Sequence, residues 1–79
     1  MDHWASLRVL ARPSEPSLRA LCRFVGTDGS MGLRTGQYAF LRVYRGSDGM
    51  LWAYWDDRRC PYETTGALAR NWRLVHVLD

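Results

Sequence analysis

The sequence predicts a mostly-β chain of five short strands, and three observations carry that prediction. Residues 37–45 (QYAFLRVYR) and 50–56 (MLWAYWD) are runs rich in aromatic and β-branched residues, the composition of strands. A Gly-Ser-Asp-Gly turn separates them, so the two read as a hairpin. Upstream, Gly29, Gly32 and Gly36 fall within ten residues, which marks a long irregular loop or a pair of tight turns.

The elements follow in order. Residues 1–18 read as an N-terminal arm and Pro-rich linker, with Trp4, Leu7 and Leu10 (or Val9) loosely at helical spacing. Pro13 and Pro16 fix φ and disfavour helix before them, so they interrupt any element there. The compact domain is expected over residues 19–79. Its first strand is expected over residues 20–25, stopped by Gly26, and the long loop follows. After the hairpin and a charged corner, Asp56 to Arg59, comes Cys60-Pro61-Tyr62, a short strand or extended segment. Thr64 or Thr65 then caps a brief helix over residues 66–71, with Leu68 and Trp72 four apart on its inner side. Residues 73–78 close the domain as a last strand. Five strands, a long first loop and one short helical turn before the last strand is the order of a small SH3-like barrel, here with an N-terminal arm.

The hairpin register is legible. A three-residue Ser47-Asp48-Gly49 loop, with Gly49 in the left-handed region, pairs Gly46 with Met50, Val43 with Ala53 and Leu41 with Trp55. One face then collects Ala39, Leu41, Val43, Leu51, Ala53 and Trp55 without a charge. The other collects Tyr38, Phe40, Arg42, Tyr44, Trp52 and Tyr54. A two-residue loop would mix the faces. The uncharged face is the expected core, and Trp55 belongs to it.

Composition narrows the function classes. The chain has 79 residues, room for one core, and its four Trp, four Tyr and two Phe supply large apolar area per residue. The net charge is +3, and every basic side chain is arginine, a planar fork suited to phosphate, carboxylate and ring faces. That charge alone does not announce nucleic acid, and no basic run exceeds Arg58-Arg59. The N-terminus lacks a basic region followed by a continuous apolar run, and no stretch approaches a membrane span. The expectation is a cytoplasmic protein without membrane contact, its two cysteines reduced.

No catalytic constellation stands out. His3 lies in the arm and His76 in an apolar strand, neither in a motif with Ser30 or a cysteine. Asp56-Asp57 is flanked by Arg58-Arg59, the pattern of a solvated turn with local pairing. The glycine-rich loop has no Gly-Lys-Ser/Thr. Cys22, Cys60, His3 and His76 lack metal-ligand spacing, and both cysteines read as small core residues. His76 fits either an inward position or a strand edge. The chain is therefore expected not to be an enzyme and to need no cofactor or metal.

Two groups remain as binding candidates. Phe40, Arg42, Tyr44, Trp52 and Tyr54 form an aromatic surface with an arginine set in it, unless the arm covers it. Met31 and Arg34 sit at the tip of the glycine-rich loop, where Met31 or Leu33 is expected to fold inward and leave Arg34 free.

The runs RFVGTDGSMGLRTGQYAFLRV, LWAYW and CPYETTGALARNW resemble a group of small proteins encoded by bacteriophages and prophages. The matching positions are Phe24, Val25, Gly26, Ser30, Met31, Gly32, Gly36, Tyr38, Trp52, Trp55, Cys60, Pro61, Tyr62, Asn71 and Trp72. The resemblance runs from about Arg23 to the end. It implies phage origin and an SH3-like fold, and it carries no activity and no functional residue with it.

The expectation is therefore a non-enzymatic protein-binding module, phage-encoded and host-directed, with a host or phage protein as partner. The alternative is a weak nucleic-acid binder using the same aromatics with Arg34, Arg42 and Arg45. Oligomeric state is open at this level.

Overall fold

A computed structural model describes residues 3–7, 10 and 17–78. Five antiparallel strands form one sheet: β1 (Leu18–Phe24), β2 (Tyr38–Arg45), β3 (Leu51–Trp55), β4 (Arg58–Tyr62) and β5 (Trp72–Val77). Their spatial order is β4-β3-β2-β1-β5. β4 and β5 are the two edges, and among the described residues the sheet does not close into a barrel. One helix, α1 (Thr65–Asn71), joins the edge strands, and short 3-10 turns occupy His3–Ser6 and Ser30–Gly32. Among the described residues no helix is long and apolar enough to cross a membrane.

The hairpin register is the one the alternation demands. Val43 pairs with Ala53 and Tyr44 with Trp52, and Gly46 N–H donates to Met50 O at 2.8 Å. Gly49 has φ 82°, and Asp48 Oδ1 accepts from Met50 N–H at 2.9 Å, so both turn residues act as their types dictate. β3 and β4 are joined by Asp56-Asp57 alone, with Asp56 at φ 52°. Pro61, which has no N–H to give, lies in the edge strand β4, where a missing donor is tolerated. Thr64 is the α1 cap, its Oγ1 accepting from Ala67 N–H at 3.0 Å.

The core lies on one side of the sheet. β1 alternates, with Leu18, Ala20, Cys22 and Phe24 buried, and Leu41, Val43, Leu51, Ala53, Trp55 and Tyr62 face it from the neighbouring strands. Leu68 of α1 closes the layer. Trp72 ends the helix and begins β5 without a linker. Its ring meets Phe24 edge-on at 5.4 Å and Trp55 at 5.3 Å, contacts worth about 0.5–1.5 kcal/mol each beyond area burial. Trp55 Nε1 is buried without a hydrogen-bond partner among the described residues, so packing holds its ring there. Gly26 is required by close approach: a Cβ there would stand 2.7 Å from Asn71 Oδ1 and 2.8 Å from the Phe24 ring. Phe24, Gly26, Trp55, Tyr62, Asn71 and Trp72 thus meet in one structural cluster. Asn71 Nδ2 donates to the Tyr62 hydroxyl at 3.0 Å within it.

The described part of the N-terminal stretch belongs to this core. Trp4 and Leu10 are each 1% exposed and pack in the same cluster as the strands. Trp4 Nε1 donates to Trp72 O at 2.9 Å, and the turn carrying it lies against α1 and β5. Trp4 and Leu10 therefore cover the core side, and of the described N-terminal residues Ser17 borders the aromatic face of the hairpin. Val9 and the Pro-rich linker, residues 11–16, lie outside the described residues.

Candidate binding surface on the outer sheet face

The opposite side of the sheet is set by register. On β2 the outward positions are Tyr38, Phe40, Arg42 and Tyr44. β1 places Arg23 beside Tyr38, Leu21 beside Phe40 and Arg19 beside Arg42. β3 places Tyr54 beside Arg42 and Trp52 beside Tyr44, and β4 adds Arg59 and Pro61 beyond them. On the far edge, Arg73 adjoins Arg23 and His76 adjoins Leu21, with a register shift between. His76 is exposed, so its strand-edge reading holds rather than the inward one.

The five strands contain Arg19, Arg23, Arg42, Arg45, Arg58, Arg59 and Arg73 and no Asp or Glu. Among the described residues, carboxylates sit only in the turns and loops. Five of those arginines, 19, 23, 42, 59 and 73, share the outer face with five aromatic rings, so the face is cationic although the whole chain carries only +3.

The rings are not equivalent. Tyr44 and Tyr54 stack on each other, centroids 5.7 Å apart and 13° from parallel, with hydroxyls 3.0 Å apart. That hydrogen bond lets Tyr44 donate to an ionised Tyr54, which holds the Tyr54 hydroxyl below the usual tyrosine range, with the Arg59 guanidinium adding to the effect. The Tyr44 hydroxyl is correspondingly pushed up. Trp52 is clasped: Arg59 lies over its ring at 5.5 Å and its Nε1 donates to Asp48 Oδ2 at 3.1 Å. Phe40, 68% exposed, is the open platform; Tyr38, 58% exposed, carries Arg23 over one face of its ring at 5.8 Å, which leaves its other face for a partner.

Two depressions flank these two rings. The larger, about 520 Å³, lies between Phe40, Arg42, Tyr44 and Tyr54, with Ser17 and Asp56 at its rim. The smaller, about 350 Å³, is bounded by Tyr38, Arg23, Arg73 and Val75.

Of the residues selected from sequence, Phe40, Arg42, Tyr44, Trp52 and Tyr54 come together here. Met31 and Arg34 do not join them. Both sit in the loop between β1 and β2, where Leu33 is buried, Met31 packs partly against the core and Arg34 is exposed. Met31 adopts φ 55°, and Arg58 Nη1 donates to its carbonyl at 3.1 Å. Arg58 therefore staples a strained turn, and Arg59 stacks on Trp52; both are exposed, but they reach Met31 and Trp52 where the charged corner suggested local pairing with Asp56 and Asp57. Arg45 also leaves the candidate set, because it faces the core side and donates to Leu10 O at 2.6 Å and Gly49 O at 2.7 Å. Arg19, Arg23 and Arg73 were missed, although β1 alternates Arg19, Leu21, Arg23 against Leu18, Ala20, Cys22, Phe24 in plain view.

Both cysteines are free. Burial pushes the Cys22 thiol up to about 12, so it stays protonated and inert at neutral pH. Comparison with family models, with characterised proteins and with solved structures finds no match for the chain.

Proposed function

We propose that this chain is a non-catalytic binding module whose working surface is the outer face of the sheet and whose partner is anionic. The observation that carries the reading is the segregation of charge: five strands bearing seven arginines and no carboxylate, five of the arginines interleaved with rings on one face. Monomeric proteins rarely leave so many aromatics on one surface without a contact to make. Arginine beside aromatic rings offers both a planar cation and stacking area.

The fold reading that accompanies it is SH3-like. The meander order of the strands and the single helix before β5 support it, as does the resemblance to phage-encoded proteins. On that reading β4 and β5 are the strands that approach across the open side. A host or phage protein with an acidic surface is one partner of the right chemistry, since Tyr, Trp and Arg are the residues enriched where protein contacts are strongest.

The test is retention on immobilised heparin over a salt gradient. Arg42→Glu and Arg23→Glu are expected to elute at clearly lower salt than wild type. Arg70→Glu, an exposed position on α1, is expected to shift elution less. Equal shifts at all three sites would mean that net charge, not this face, governs binding.

A further inference from the structure

We infer that the ligand of the outer face is a single strand of nucleic acid, two to three nucleotides of it laid over Phe40 and Tyr38. The inference rests on the reading of that face as an anion-binding surface and names what binds there. Three features select this ligand over other anions.

The first is stacking area at the right spacing. Phe40 and Tyr38 are two apart on β2, so their rings stand about 7 Å apart along the strand and both face solvent. Base–aromatic stacking needs such open rings and tolerates any base, because every base has a π-face. An acidic peptide draws chiefly on the arginines and does not require two open rings at this spacing.

The second is where the cations lie. Arg42 flanks Phe40 on one side, and Arg23 and Arg73 flank Tyr38 on the other, so phosphates joining bases stacked on the two rings meet a guanidinium at each end. The third is the pair of depressions. One beside Phe40, about 520 Å³, and one beside Tyr38, about 350 Å³, give the sheet hollows large enough to admit a base. Asp56 at the rim of the larger hollow repels a phosphate there but accepts from an exocyclic amino group, so the hollow suits a base edge. A duplex hides its bases in the stack and is read by an element that enters a groove. Strands too can enter a groove, but open rings call for exposed base faces, which splayed single-strand bases supply and a duplex does not.

The roles divide accordingly. Phe40 and Tyr38 stack, Arg42, Arg23 and Arg73 pair with phosphates, and the clasped Trp52 and the Tyr44–Tyr54 pair form the rigid margin rather than the platform.

Fluorescence anisotropy tests this with labelled oligo-dT and oligo-U of about ten nucleotides, and with a DNA duplex of the same length. Titrations are run at about 50 and 200 mM salt, because phosphate binding weakens steeply over that range. Variants are Phe40→Ser and Arg42→Gln, each checked for an unchanged circular dichroism melt. Single strands are expected to bind at least about tenfold tighter than duplex, with a log–log salt slope near −2 for three phosphates at about −0.7 each. Phe40→Ser is expected to weaken binding about five- to hundredfold, the worth of one stacked base, with the salt slope unchanged. Arg42→Gln is expected to reduce that slope by about 0.7. Equal binding of duplex and single strand, with Phe40→Ser silent, overturns the stacking inference and leaves a general anion surface. Silence with both nucleic acids while a poly-glutamate peptide shifts the amide resonances of Arg23, Arg42 and Arg73 overturns it in favour of an acidic protein partner. If neither ligand moves those resonances, the reading of the face falls as well.

Discussion

Replacing Trp4 by alanine tests whether the N-terminal stretch is an appendage or part of the core. The ring is 1% exposed, its Nε1 donates to Trp72 O, and it lies against α1 and β5. Truncating a buried Trp costs about 3–5 kcal/mol. Loss of the indole donor also leaves a buried carbonyl short of a partner, about 1 kcal/mol more. A domain of this length has a total stability of about 4–12 kcal/mol at the usual 0.05–0.15 per residue. Trp4→Ala is therefore expected to remove a large fraction of it. With a urea m-value of about 1.5 kcal/mol/M, the midpoint falls by about 2–4 M. The assay is urea denaturation followed by circular dichroism, with Trp4→Phe alongside to keep most of the ring area and remove only the donor. Trp4→Phe should lose about 1–2 kcal/mol. A Trp4→Ala midpoint within about 0.3 M of wild type, at an unchanged m-value, refutes the argument and returns residues 1–18 to the status of an arm.

Two further outcomes follow from the same packing. Trp55→Ala, in the core against Trp72, is expected to cost about 3–5 kcal/mol, whereas Trp52→Ala, on the outer face, is expected to cost about 1 kcal/mol through its Asp48 and Arg59 contacts; equal urea midpoints would place both rings in one layer. Alkaline stability is the other. Burial raises Cys22 from its ordinary 9.0 to about 12 and Tyr62 from 10.0 to about 12, so the folded state holds protons that the unfolded chain releases. Stability is then fully present below pH 9 and falls as pH rises from 9 to 12. Urea midpoints measured across that range should decline, and the decline should be shallower in Cys22→Ala, while a flat profile would mean that neither group is shielded.

Much of the fold was legible because it rests on local rules. The hairpin could be registered residue by residue, since only a three-residue loop keeps Leu41, Val43, Ala53 and Trp55 on one face. Each strand and the helix lie within two residues of where composition placed them. The aromatic half of the candidate surface came with the hairpin register. The cationic half did not, because Arg19, Arg23 and Arg73 join Phe40 and Tyr38 only through the β1–β2 and β1–β5 pairings. Those pairings bridge sequence separations of 15 residues and more, which no local rule specifies.

Arg58 and Arg45 show the same divide in single side chains. In sequence Arg58 reads as part of a solvated, locally paired corner and Arg45 as a candidate phosphate contact. In the fold, Arg58 reaches the carbonyl of Met31 across 27 residues and Arg45 reaches that of Leu10 across 35, so both hold backbone together.

The sequence by itself determined the β class, the hairpin register, the helix cap to within two adjacent threonines and which hairpin rings face inward. These follow from alternation, turn chemistry and capping, all read within a few residues of one another. Only the tertiary structure decided that Trp4 and Leu10 belong to the core, that the sheet runs β4-β3-β2-β1-β5, and that five arginines gather around the open rings. Those facts depend on which distant strands pair and which surface the N-terminal segment covers. Buried area and backbone pairing across the whole chain set that choice, not the properties of any one segment.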